Sequence, residues 1–146
     1  MGVIAGIYIE GSPIDSNQPY ARTLIQNLER EGWTLDVMGK SWFLPVNDKG
    51  LFDWQSREIS RDRLLEIVTQ KEGLMELVGV IMLWQDTHHG CTFLLDPDHS
   101  INIETGRYRR TIEGVGVTDP SWYLQRLMPA IHRTIRPTKI NFNEHR

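Results

Sequence analysis

Cysteine is nearly missing from this chain. Cys91 stands alone among 146 residues, so no disulfide can form within it. A single thiol fits a reducing compartment, and a cytoplasmic location is expected. Long apolar runs are missing too. None reaches the roughly 18 residues of a membrane-spanning helix, and Met1 to Ile9 has neither the basic leader nor the length of a secretion signal. There is no basic excess. Sixteen Lys and Arg stand against 19 Asp and Glu, a net charge of −3, which argues against a general nucleic-acid binder. The local signatures of catalysis are absent as well. The chain has no G-x-S-x-G, H-E-x-x-H, paired cysteines, G-x-G-x-x-G or Walker sequence. The balance favours a protein that is not an enzyme, and no cofactor is expected.

What is present is the composition of one globular domain spanning residues 1–146. Forty per cent of the residues are hydrophobic, and five Trp, four Tyr and four Phe supply large core pieces. A chain this long buries roughly two-thirds of its unfolded surface, enough to need no disulfide or structural metal.

Hydrophobic periodicity predicts the order β-α-β-β-α-β-β-β-α. Gly2 to Glu10 reads as a strand apolar on both faces and therefore central. Pro19 opens a helix whose Tyr20, Leu24, Ile25 and Leu28 share one face, and Gly32 stops it. Trp33 to Val37 and Ser41 to Val46 read as strands around a Gly39-Lys40 turn, while Leu51 to Ile59 is ambiguous between strand and loop. Ser60 caps a second helix running to about Lys71. Leu77 to Thr111 is an antiparallel three-strand meander. Its turns are Asp86-Thr87-His88-His89-Gly90 and Asp96-Pro97-Asp98-His99-Ser100. Gly114-Val115-Gly116 reads as a flexible loop. Thr118-Asp119-Pro120 starts a last helix, with a kink or split expected at Pro129 and an end at Arg136-Pro137. Thr138 to Arg146 is a short edge segment or a tail. The fold class is α+β, with helices packed on a mainly antiparallel sheet.

Three groups of side chains could carry chemistry. Asp86, His88 and His89 are metal-ligand types, which gives a metal-binding or small-enzyme alternative. Adjacent histidines, however, do not readily aim at one ion. The two meander turns should lie about 15–20 Å apart at opposite ends of the sheet, so their residues cannot form one site. Cys91 alternates with Phe93 and Leu95 and should point into the core. Arg107, Tyr108, Arg109 and Arg110 form the one basic cluster. Placed on a strand, Arg107 and Arg109 would share one face and Tyr108 and Arg110 the other. Such a surface could grip a partner protein, unless Glu104 and Glu113 neutralise it locally. Among the five Trp, Trp42, Trp54 and Trp122 lie near element ends and are candidate interface anchors.

Small size, mild acidity, the lone Cys91, the lack of a catalytic motif and the acidic residues Glu10, Asp15, Asp48, Asp53, Asp96 and Asp98 together give a resemblance of type. The chain resembles the small immunity proteins of bacterial toxin–immunity systems. That resemblance implies another protein, a cognate toxin, as partner. It implies neutralisation of that toxin by binding, through an acidic surface set against a basic nuclease site. Arg107, Tyr108, Arg109, Arg110, Asp96 and Asp98 are the candidate partner-binding residues.

Overall fold

The computed structural model describes residues 3–106 and 108–145. Among the described residues eleven elements follow one another. They are β1 (Ile4–Pro13), α1 (Tyr20–Glu31), β2 (Trp33–Thr34), β3 (Ser41–Phe43), β4 (Gln55–Arg57), α2 (Arg61–Gly73), β5 (Val78–Trp84), β6 (Gly90–Leu95), β7 (Ile101–Glu104), α3 (Pro120–Thr134) and β8 (Ile135–His145). This is the α+β class expected, with two strands beyond the six. β4 resolves the ambiguous segment, and β8 decides the C-terminal stretch as an edge strand, longer than expected, and not a tail.

Every strand pairing is antiparallel. The order across the sheet is β4-β3-β5-β6-β7-β1-β8, with β2 pairing β5. The expected meander is β5-β6-β7, and β1 lies inside the sheet between β7 and β8. Register then builds the core. Ile7 faces Ile103, Ile103 faces Phe93, Phe93 faces Val80 and Val80 faces Phe43. A second row joins Ile9, Ile101, Leu95 and Val78. These rows pack against Leu24, Ile25 and Leu28 of α1, Leu64, Leu65 and Val68 of α2, and Tyr123, Leu127 and Ile131 of α3.

The helix ends follow local chemistry. Ser60 Oγ accepts the Arg63 amide at the start of α2, and the Asp119 carboxylate accepts the Trp122 amide at the start of α3. Gly32 ends α1 at φ 118°, with its N–H on the Leu28 and Glu29 carbonyls. Pro129 does not divide α3, which passes directly into β8 at Ile135 with no loop.

All three helices cover one face of the sheet. The other face presents two rows. The first holds Gly6, Glu104, Thr92 and Ile81, and the second Tyr8, Asn102, Leu94 and Gly79. At Gly79 this face is covered, because Leu44 and Trp54 lie where a β-carbon would stand, at 2.7 and 3.0 Å. Across β6, β7, β1 and β8 it is open.

One expectation fails in the segment between β7 and α3, and the loop expected there takes a defined form. Tyr108, Arg109 and Arg110 are not on a strand, because β7 ends at Glu104 and Tyr108 takes a left-handed φ of 47°. The shared-face arrangement of the arginines therefore does not form, and Arg107 lies outside the described residues. Gly114-Val115-Gly116 is the tip of a small hairpin. Thr111 bridges Thr118, and the Ile112 amide donates to the Val117 carbonyl. Gly114 and Gly116, with positive φ, make the turn.

Candidate functional site

The six-residue β6 holds the two histidine-bearing turns about 20 Å apart, as strand geometry requires. Each turn gathers its own surroundings.

At the first end, the structure joins two groups that are separate in the sequence. His89 donates through Nδ1 to the Tyr108 carbonyl at 2.5 Å, and the His88 ring lies 5.5 Å from the Tyr108 ring. His89 meets Trp122 edge-on at 5.3 Å, and Trp122 meets Trp84. The Arg126 guanidinium stands 4.3 Å from the centre of the Trp122 ring and 5.4 Å from that of Trp84. Among the described residues its Nε finds no hydrogen-bond acceptor, and the ring faces are what the guanidinium meets. Trp122 and Arg126 share one face of α3 at an i, i+4 spacing, but no local pattern brings Trp84 of β5, His89 and Tyr108 to them.

Arg109 is committed to the fold. It donates to the Gly116 carbonyl, to Thr118 Oγ1 and to Glu144, so it ties the hairpin to β8. Glu144 also accepts the Thr118 amide and hydroxyl. The Arg110 amide donates to the Tyr123 hydroxyl, and burial pushes that phenol up to about 12.

Asp86, His88 and His89 do not converge. Among the described residues no group of three or more His, Cys, Asp or Glu side chains is placed to hold a metal ion. The metal-binding alternative therefore has no ligand set there. The reason lies in the turn itself, where His88 is turned toward Tyr108 and His89 toward Trp122. Cys91 is inward and buried, as its alternation predicts. Burial pushes its thiol well above the ordinary cysteine range and so away from the nucleophilic thiolate.

The second end is acidic. Asp96 and Asp98 flank Pro97 in the β6–β7 turn, and His99, at φ 71°, completes it. The Tyr20 ring packs edge-on against His99 at 5.0 Å, and its hydroxyl donates to the Ser100 carbonyl. Glu72, at the end of α2, accepts the Arg22 amide. A hollow of about 110 Å³ lies among Tyr20, Glu72, Met75, Asp96, Pro97 and His99. Met75 on its rim is 70% exposed.

The electrostatics of this end are lopsided. Desolvation first, and then the neighbouring Asp98, raises the Asp96 carboxyl above its ordinary range. Asp98 is lowered, chiefly by hydrogen bonds from the Ser100 hydroxyl and amide. Burial raises Tyr20, and Asp96, Glu72 and Asp98 raise it further. Among the described residues no salt bridge reaches Asp96 or Asp98. Sequence reasoning singled out the two aspartates but missed Tyr20, Glu72 and Met75, which arrive from α1 and from the end of α2.

Other acidic residues are structural. Asp48 is buried, and its carboxylate accepts the Phe52 and Asp53 amides, so it is not part of an exposed acidic surface. A hollow of about 730 Å³ includes Arg30, Arg61 and Arg133. There Arg61 grips Glu29 with two bonds of 2.7 and 2.8 Å, and Arg133 pairs with Glu31. These pairs fasten α1 to the other two helices.

Comparison of the chain with protein-family models, with curated proteins and with solved structures gives no match. Among the described residues no helix is long and apolar enough to cross a membrane.

Proposed function

We propose that this chain is a non-enzymatic binding protein of the immunity type, which neutralises a cognate toxin by docking its acidic end onto a basic surface of that toxin. One observation carries the reading. Asp96 is partly withdrawn from water beside a second carboxylate, and among the described residues no salt bridge balances it. That arrangement costs stability, and a fold keeps such a cost where the charge has a use outside the fold. A lysine or arginine from a partner supplies the missing charge, and exposed Met75 beside the hollow supplies apolar contact. Tyr108 and Arg110 are at the opposite end and serve at most a second contact. Arg109 is already spent on its own hairpin.

The test is a binding titration between the purified chain and a toxin domain encoded beside its gene, together with co-expression for protection. A one-to-one complex is expected. Its affinity should fall at least tenfold in the Asp96→Asn, Asp98→Asn double variant and should weaken with added salt. An adjacent toxin that neither binds the chain nor is neutralised by it would sink the reading. So would a complex indifferent to both aspartates.

A further inference from the structure

The open face of the sheet has a depression. Gly6 lacks a side chain at the middle of a row in which its neighbours across the strands are Glu104 on β7 and Asn143 on β8. Tyr8 stands two residues along β1 on the same face, with Asn102 opposite it on β7 and Leu94 beyond on β6. These residues, with Ile4 and His145, surround a hollow of about 220 Å³. A β-carbon on Gly6 would stand 3.2 Å from the Ile103 carbonyl oxygen, so the backbone also approaches closely here.

Glu104 is the one carboxylate lining the hollow, His145 lines it as well, and Lys139 stands opposite the neighbouring Glu10. The Glu104 carboxylate is exposed at its rim, and no salt bridge among the described residues involves it. Glu10 accepts the Tyr8 hydroxyl at 2.8 Å on the neighbouring part of the face. The Tyr8 phenol is raised first by its hydrogen bond to Glu10 and least by the charge of Asp98. The walls combine an aromatic ring, aliphatic side chains, side-chain amides, the His145 imidazole and a carboxylate. That set suits a long side chain with a cationic head. The stem lies along Tyr8 and Leu94, and the head reaches Glu104 and the Asn143 and Asn102 carbonyl oxygens.

We propose that the hollow over Gly6 is an anchor pocket for one arginine or lysine side chain of the bound partner. It extends the acidic docking surface from the turn at Asp96 onto the open sheet. This rests on the reading that the partner is a protein with a basic surface, and it names the residue type that enters the pocket.

The probe is Nα-acetyl-arginine amide, titrated into the isotope-labelled chain and followed by amide chemical shifts. Nα-acetyl-glutamine amide serves as the neutral control. Saturable shifts centred on Gly6, Glu104 and Asn143, in the low-millimolar range, are expected for the arginine compound and not for the control. Glu104→Gln, at an exposed side chain that makes no salt bridge among the described residues, should weaken the response several-fold while leaving the rest of the spectrum in place. Absence of a saturable response overturns the proposal. So does an equal response to the neutral compound, or one that Glu104→Gln leaves unchanged. The two readings separate cleanly. If Asp96→Asn weakens the toxin complex but Glu104→Gln and the arginine probe do nothing, only the anchor pocket fails. If the probe binds but no toxin does, the functional reading fails and the pocket stands.

Discussion

Asp96 and Asp98, two residues apart, respond to pH in opposite directions. The Asp96 carboxyl is raised by desolvation and by Asp98, so between its unfolded and folded values the folded chain binds more protons than the unfolded one. Stability therefore falls as pH rises through that window. Asp98 is lowered by its bonds from Ser100, so its contribution is present above the ordinary carboxylate value and is lost as pH falls through its folded value. Asp96→Asn removes the first penalty and also the repulsion on Asp98. The variant should unfold at a higher temperature at pH 7, by no more than about 1 kcal/mol because the site is partly open to water. The gain should vanish near pH 3, where both states of the wild-type residue are protonated. Thermal unfolding at the two pH values decides it, and a variant less stable than wild type at pH 7 contradicts the account of Asp96. The two aspartates were legible as candidates from composition alone. Their difference was not, because it depends on Ser100 lying within bonding distance of Asp98 and on Tyr20 packing over the turn.

Elements whose limits depend on local chemistry match the sequence closely. Ser60, Asp119 and Gly32 cap helices because each satisfies backbone groups within a few residues of itself. The segment after β7 did not match. Alternation in Glu104 to Thr111 suggests a strand, but the chain leaves the sheet after Glu104, and Tyr108 is fixed in a left-handed turn. His89 holds its carbonyl there, and Arg109 ties the hairpin to Glu144. Gly79 shows the same limit. In sequence it is one small residue in an apolar run; in the fold it is the place where Leu44 and Trp54 cross the back of β5. Gly79→Ala should destabilise the protein by about 1–3 kcal/mol through overpacking, read as a lower urea midpoint. An unchanged midpoint would show that the 44–54 segment yields without cost.

At the scale of the whole molecule, β8 completes the sheet. It pairs with β1 from Ile4↔His145 to Pro13↔Ile135, with one irregularity at Glu10/Gly11, and Phe142 joins the core beside Ile7. A chain ended after Thr134 would leave β1 at the edge, with its N–H and C=O groups unpaired on that side and Ile7 without Phe142. Such a truncation should give an aggregating or partly folded product. Circular dichroism with a broadened thermal transition would report it, and amides of β1 should lose protection from exchange. A soluble, cooperatively folding truncation would contradict this role. Thr138 to Arg146 reads as a short edge segment or a tail, and its polarity does not choose between them. Edge strands are polar on their open side, and only the partner strand reveals them.

The amino-acid order by itself determined the three helices, their caps, the β5-β6-β7 meander, the α+β class and the inward path of Cys91. Each follows from periodicity or from hydrogen bonds that close within a few residues. Tertiary structure alone decided that β1 lies between β7 and β8, that His89 meets Tyr108 and Trp122, and that Asp96 shares a hollow with Tyr20 and Glu72. It also decided that Gly6 opens a pocket on the uncovered face. Those facts depend on register between strands distant in the chain, which no local pattern encodes.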